Sequence, residues 1–411
     1  MPFSSSQKDR RPLGIMNSIA TNYLHLRNPY AIAWWSAAFP GFAHLSLGSY
    51  IAGFLLFNWE VLVNYQASVN LGILYSFTGR FEMAKEVVNT RWLLLYAPVY
   101  IYCIWNGYQL TVDLNKLTIL AERNKSKIAP ERISFFEINA LDKRAPWVSV
   151  AWTFLTPGLG HLYTHRTPTA FFLLIWWIGV CYLSHMLQSI QFTTLGMFEE
   201  AKAVLDPQWL IYMPSILGFA LYDVYVNTIE YNRLFEREQA NMLKNDYQDP
   251  AFKMPVYGGD GMHVVASFEH SLHLELAVTD LVEKGIEQNR ICAVPLKTMK
   301  KEGQLFDSIH RSDGESMFDL PSILGTILMT FGVLWGFMWK WGPVIWGLIG
   351  LFAGGAIGFA FKYFLYIRNN KNIIKGKVTE VFVVVDCKPD EVKIVEDVFC
   401  RHLAIGIGVK K

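Results

Sequence analysis

Charge is scarce in this chain. Lys, Arg, Asp and Glu make up 18% of its 411 residues, against 52% hydrophobic and 15% aromatic. So apolar a chain is not expected to fold as an ordinary soluble domain, and its long uncharged runs belong in a bilayer. The formal net charge is only +2, which recommends no polyanionic partner, and nucleic acid is not expected. Cysteine is scarce too. Cys103, Cys181, Cys292, Cys387 and Cys400 are odd in number and contain no C-x-x-C, so they are expected to be reduced structural thiols, with no disulfide framework and no zinc site. Residues 1–28 carry Lys8, Arg10 and Arg11 but no apolar core of signal-peptide length, so secretion and cleavage are not expected. Gly258, Gly259 and Gly261 precede a strand pattern and not a helix, which is wrong for a phosphate loop. With no nucleophile, metal set or cofactor motif in view, the chain is expected to be no enzyme, to need no cofactor and to hold no metal.

What the sequence does have is repetition. Pro40-Gly41-Phe42-Ala43-His44-Leu45 returns as Pro157-Gly158-Leu159-Gly160-His161-Leu162, an offset of 117 residues. The same offset carries Trp35 onto Trp152, Trp59 onto Trp176, Gly79 onto Gly196 and Trp92 onto Trp209 with no gap. That is a duplicated unit, with a helix-breaking Pro-Gly turn at matching places in both copies.

The pattern predicts an α-helical integral membrane protein of two parallel repeats with a cytoplasmic α+β domain. Residues 1–28 form a basic N-terminal tail, within which 15–26 could make a short surface helix. Membrane repeat one covers 29–117, a basic cytoplasmic linker 118–145, membrane repeat two 146–236 and a further linker 237–262. In each repeat the apolar stretch before the Pro-Gly turn is too short to cross and is expected to be re-entrant. Two crossings follow it, at 50–75 and 92–112 in repeat one and at 169–190 and 209–226 in repeat two. Between the crossings Phe81, Ala84 and Val87, and in the second copy Phe198, Ala201 and Val204, share one helical face opposite Glu82, Lys85, Glu199 and Lys202, which predicts helices lying on the membrane surface. Lys116, Arg123, Lys125, Lys127, Arg132, Lys143 and Arg144 place the linker between the repeats in the cytoplasm, with both termini on that side. Had the short segments crossed, the copies would be inverted.

Residues 263–411 change to β-α-β, an interruption, then β-α-β, which resembles a ferredoxin-like fold split at its central hairpin. The expected order across the sheet is last, first, third and second strand. The interruption, 321–367, reads as a transmembrane hairpin, which brings the expected crossings to six. Gly332 and Gly336 on its first helix, and Gly350, Gly354 and Gly358 on its second, are spaced four apart to let the helices pack closely.

Thr156-Pro157-Gly158-Leu159-Gly160-His161-Leu162-Tyr163 resembles the P-G-x-G-H/Q-x-Y turn of small bacterial membrane modules related to the two-transmembrane-helix domain family. The first copy departs at Ala43 and Ser46, where that pattern has Gly and Tyr. The resemblance covers the start of each repeat and implies topology with almost no chemistry. The C-terminal part looks like bacterial stress-type membrane proteins that join a β-α-β unit to a glycine-rich hairpin.

His44 and His161 are the sharpest polar candidates because the duplication retains them. Either they face each other across the repeat interface, to bind an ion or relay protons, or each caps carbonyls freed at its Pro-Gly turn. Glu60 and Asp223 fall in apolar stretches but align with Trp177 and Asn106, which argues against a symmetric dyad. A polar path lined by His44, Asn58, Glu60, Asn64, Asn106, His161 and Asp223 remains open to a solute. Glu269, His270 and His273 have His-x-x-His spacing at a helix start, read as solvated. The expected function is a non-enzymatic scaffold or regulator in the lipid bilayer, meeting a protein partner or a second copy through its cytoplasmic domain. The alternative is a transporter or channel with a polar path between the repeats.

Overall fold

The computed structural model describes residues 13–17, 19–124, 131–133, 138–250, 252, 262–296, 316–369 and 379–410. Lys8, Arg10, Arg11, Lys125, Lys127, Gly258, Gly259 and Gly261 lie outside the described residues. The chain divides into two compact units, Met1–Asn139 with Arg144–Ile229 and Gln304–Lys371, and Ala140–Lys143 with Glu230–Gly303 and Asn372–Lys411.

The first unit opens with β1 (Gly14–Met16) and β2 (Thr21–Tyr23), an antiparallel pair in which Ile15 faces Asn22. The surface helix expected over 15–26 is therefore absent. The chain turns instead at Asn17, whose amide donates to the Ala20 carbonyl at 2.9 Å, and Gly14 accepts the close approach of Tyr23 that any side chain would block. The helices of the first copy are α1 (Pro29–Ala38), α2 (Phe42–Ser46), α3 (Tyr50–Ala67), α4 (Val69–Phe77), α5 (Phe81–Val87) and α6 (Thr90–Asn124). After β3 (Glu131–Ile133) and β4 (Ile138–Ala140), which pair with each other, come α7 (Pro146–Leu155), α8 (Leu159–Tyr163), α9 (Thr167–Leu183), α10 (Met186–Thr194), α11 (Phe198–Ala203), α12 (Pro207–Leu210) and α13 (Tyr212–Asp246).

The offset of 117 recurs in the backbone itself. Gly41 and Gly158, Gly48 and His165, Ser68 and His185, and Gly79 and Gly196 all have positive φ, each pair 117 apart. Both Pro-Gly turns press on the helix that follows. A Cβ on Gly41 would meet the Gly53 carbonyl at 2.6 Å, and one on Gly158 the carbonyl of Ala170, the equivalent residue, at 2.5 Å. Only glycine combines that φ with that contact.

Three expectations need correction. The crossings at 50–75 and 169–190 are broken, by Ser68 (φ 53°) and by His185 (φ 57°), and the second break bends the chain by 62°. The helices after them run well past the ends expected for those crossings, 112 and 226. Beyond Val112, Thr118 and Ala121 continue a buried helical face with no Gly or Pro to end it, so α6 reaches Asn124, and α13 likewise reaches Asp246. Six crossings are expected, whereas among the described residues three helices are long and apolar enough to cross a membrane, or up to five if two bent pairs each count as one. The helix Tyr50–Ala67 is outside that set, since Asn58, Glu60, Asn64 and Gln66 dilute it.

Helix α13 is the axis of this unit: from Ile211 to Ile229 only Ser215 is not buried. Aromatic rings of the first copy pack on it, Phe42 stacking on Phe219 at 4.0 Å and Trp35 lying 5.1 Å from Tyr222. After α13 come β5 (Met262–Phe268), α14 (Leu272–Glu283) and β6 (Ile291–Pro295) of the second unit, and then the hairpin helices α15 (Asp319–Gly336) and α16 (Gly342–Asn369).

 In the folded chain the two hairpin helices are α15 and α16, and they meet along their glycines. A Cβ on Gly332, Gly350 or Gly354 would strike the backbone of Trp346, Leu328 or Leu324, and one on Gly336 or Gly358 would strike Pro343 or Pro321.

The second unit is a four-stranded antiparallel sheet in the order β6, β7 (Val381–Cys387), β5, β8 (Gly406–Lys410), with helix α17 (Val392–Arg401) between the last two strands of the chain. Alternation puts Val264, Ala266, Phe268, Val381, Val383 and Val385 on one face, where they share a core with Leu274, Val278 and Leu281 of α14 and Val395, Val398 and Phe399 of α17. Both helices therefore cover the same face of the sheet.

Candidate functional site

His44, Glu60, Asn64, Asn106, His161 and Asp223 fall into three assemblies, all in the first unit. In the simplest, His44 on α2 meets Asn106 on α6, Nε2 to Oδ1 at 2.8 Å. His44 is buried.

The second is built at the break between α3 and α4. The Asn64 side-chain amide donates to Glu60 Oε1 at 3.0 Å and to Asn70 Oδ1 at 3.2 Å, and the Asn70 amide donates to the Gln208 carbonyl at 2.8 Å. Gln208 returns a bond to Asn64 Oδ1 at 3.1 Å and accepts from the Leu71 amide at 3.1 Å, while the Tyr96 hydroxyl donates to Glu60 Oε1 at 3.2 Å. Backbone groups freed by the left-handed Ser68 are thus satisfied by side chains, as a break inside an apolar environment requires. Glu60 also lines a cavity of about 410 Å³ with Trp34, Tyr100 and Phe331.

The third assembly surrounds Asp223. His161 on α8 places Nε2 3.2 Å from Asp223 Oδ2, and the guanidinium of Arg166, at the start of α9, donates to the same oxygen. An ionised carboxylate only accepts, so the imidazole proton sits on Nε2. Arg166 also donates to the Leu45 carbonyl at 3.1 Å and the Ser46 carbonyl at 3.5 Å, which ties the second copy to the first. Arg27, just before α1, donates to Ser46 Oγ at 2.6 Å and Asn227 Oδ1 at 3.1 Å, and its backbone amide donates to Asn115 Oδ1 at 3.0 Å. Both arginines line a cavity of about 360 Å³.

The two histidines do not pair with each other across the repeats. Each reaches the residue 62 positions later in its own copy, Asn106 for His44 and Asp223 for His161. Nor do they cap turn carbonyls through Nε2. The single polar path is divided as well: no side-chain hydrogen bond among the described residues joins the Glu60 and Asn64 assembly to either histidine, and Asn58 is exposed and donates to its own helix at Phe54. In the second unit His270 is buried, with Nδ1 2.9 Å from Gln239 Oε1, while His273 is exposed, so this pair does not converge. Among the described residues no group of three or more His, Cys, Asp or Glu side chains could hold a metal ion.

Arg27, Arg166, Asn70, Gln208 and Asn227 are the functional candidates that the sequence reading passed over. Arg27 lies at the end of the basic tail 1–28, with no motif around it to mark it. Arg166 had a visible signal, since it stands where the first copy has Ser49, a charge introduced at the mouth of an apolar stretch.

Chemically, His161 and Asp223 form a base with an orienting acid, but no hydroxyl or thiol hydrogen-bonds to the ring among the described residues. The assembly is equipped to hold charge. Comparison of the chain with protein-family models, with curated proteins and with solved structures finds no match.

Proposed function

We propose that the chain is a non-enzymatic scaffold or regulator of the cell membrane. In this reading it is a multi-pass protein of two parallel repeats with re-entrant Pro-Gly segments, and its ferredoxin-like unit, split by the transmembrane hairpin, lies in the cytoplasm with both termini. That unit takes up an extended segment of a partner chain along the edge of its sheet.

One observation carries the reading: the two sheet edges are treated differently. At β6 the Ala293 amide donates to the Tyr247 carbonyl and the Gln248 side chain donates to the Ala293 carbonyl, both at 2.9 Å, so this edge is occupied. At the other edge β8 has β5 as its sole strand neighbour among the described residues, and Gly406, Gly408 and Val409 are exposed. An open edge is a template for strand addition. A photo-crosslinker at Val409 in native membranes should give one discrete adduct, absent when Ile407→Pro blocks pairing. An adduct unaffected by the proline would overturn edge recognition.

The transporter reading keeps one observation in its favour, the two cavities beside buried charge in the first unit. Reconstituted vesicles separate the readings. A scaffold leaves ion and small-solute flux at the level of protein-free vesicles, and flux above that level would sink it.

A further inference from the structure

The two buried arginines are short of negative charge. Arg27 is 8% and Arg166 4% exposed, and both guanidinium groups converge on Ser46, one on its hydroxyl and the other on its carbonyl. Asp223 is the one carboxylate in contact with them, and Arg166 and His161 share its Oδ2. The partners of the Arg27 side chain, Ser46 and Asn227, are neutral, and among the described residues no carboxylate lies within 4.0 Å of it. Arginine stays charged at any pH a cell reaches. Two like charges held against one residue, largely buried and with a single counter-charge in contact, are unfavourable unless an anion joins them.

The space for that anion is present. The cavity of about 360 Å³ is lined by Arg27 and Arg166 and by the side chains of Thr21, Asn115 and Asn227, whereas Asp223 and His161 do not line it. An incoming anion therefore meets the guanidinium groups without meeting the carboxylate. Leu13, Leu24, Leu47 and Leu114 form the apolar part of the wall.

We propose that this cavity binds a phosphate-class oxyanion, an ester whose hydrocarbon or sugar part rests on the leucines while its oxygens bridge Arg27 and Arg166. Two planar forks suit a group with three oxygens, each fork taking two of them. Duplication alone does not account for the site. Arg27 maps onto Arg144, but Arg166 maps onto Ser49, Asn227 onto Leu110 and Asp223 onto Asn106, so only one such charge cluster is built. The site does not depend on the partner edge at β8.

The test uses the full chain in neutral detergent and in nanodiscs. Inorganic phosphate should raise the unfolding temperature saturably where chloride at equal ionic strength does not, which would identify a soluble phosphate ester as the source. A response only to phosphatidic acid in phosphatidylcholine nanodiscs would identify a lipid headgroup. In either case Arg27→Gln should weaken the response roughly tenfold or more, and Arg27→Lys should retain much of it. Leu24→Trp, which fills the cavity and leaves the charges in place, should also abolish binding, and it serves if Arg27→Gln does not fold. No response to either phosphate, an equal response to chloride, or binding unchanged by both Arg27→Gln and Leu24→Trp would overturn the proposal.

Discussion

His161 and Asp223 meet at 3.2 Å in the second copy where His44 and Asn106 meet at 2.8 Å in the first, so one duplicated contact exists in a charged and a neutral form. The charged form persists because Arg166 sits on the same carboxylate oxygen. Asp223→Asn should therefore destabilise the first unit by roughly 3–5 kcal/mol, the usual consequence of leaving a buried charge without its partner. Asp223→Asn with Arg166→Ser reproduces the residues of the first copy and should recover part of that loss. Thermal unfolding followed by tryptophan fluorescence reads both, and a double variant no better than Asp223→Asn would count against the pairing.

The hairpin supplies a steric test. Any side chain on Gly354 strikes the Leu324 backbone, whereas Ile357 is 56% exposed. Gly354→Leu should lower stability by about 3 kcal/mol or more, and Ile357→Leu should stay within about 0.5 kcal/mol. Equal unfolding temperatures for the two variants would show that the helices tolerate separation.

Ser68 and His185 stand in the left-handed region at the two helix breaks. Ser68→Gly and His185→Gly should be neutral or stabilising by up to about 1 kcal/mol, since glycine reaches that region without a Cβ penalty. Ser68→Val should destabilise by about 1–2 kcal/mol, the cost of a β-branched residue at positive φ. A chain indifferent to valine would mean that the break is not held in that conformation.

Burial of His270 against Gln239 drives its pKa down to about 4, desolvation being the main cause, with Glu380 opposing it and Lys143 adding to it. The unfolded chain binds this proton near the ordinary value of about 6.5, so the folded state binds fewer protons between the two values. The contribution is fully present above about pH 6.5 and is lost as pH falls toward about 4. Hydrogen exchange of the β7 amides should accelerate across that window, and His270→Gln should flatten the dependence. Exchange independent of pH, after correction for intrinsic rates, would refute it.

Topology is checked by labelling. Cysteines at Ser126 and Asn245 should be shielded from impermeant thiol reagents in intact cells and one at Thr78 should label, as the basic linker implies. Labelling at Ser126 with protection at Thr78 would reverse the orientation of the repeats.

The duplication, the Pro-Gly turns, the hairpin glycines and the strand order of the second unit were all legible in the sequence. Each is a local or periodic signal: a helix breaker, a four-residue spacing, or an alternation of apolar residues that the backbone must obey wherever it folds. The breaks at Ser68 and His185 were not legible, because neither residue is a breaker by itself; Asn64, Asn70 and Gln208 hold the first break through bonds that span up to 144 residues of chain. The same is true of the charge cluster. Arg27, Arg166 and Asp223 are far apart in sequence, and each could have faced water, lipid or a partner alone. Packing of both copies around α13 is what brought two buried cations and one buried carboxylate together, since electrostatic meaning depends on distance and burial, which only the tertiary structure decides.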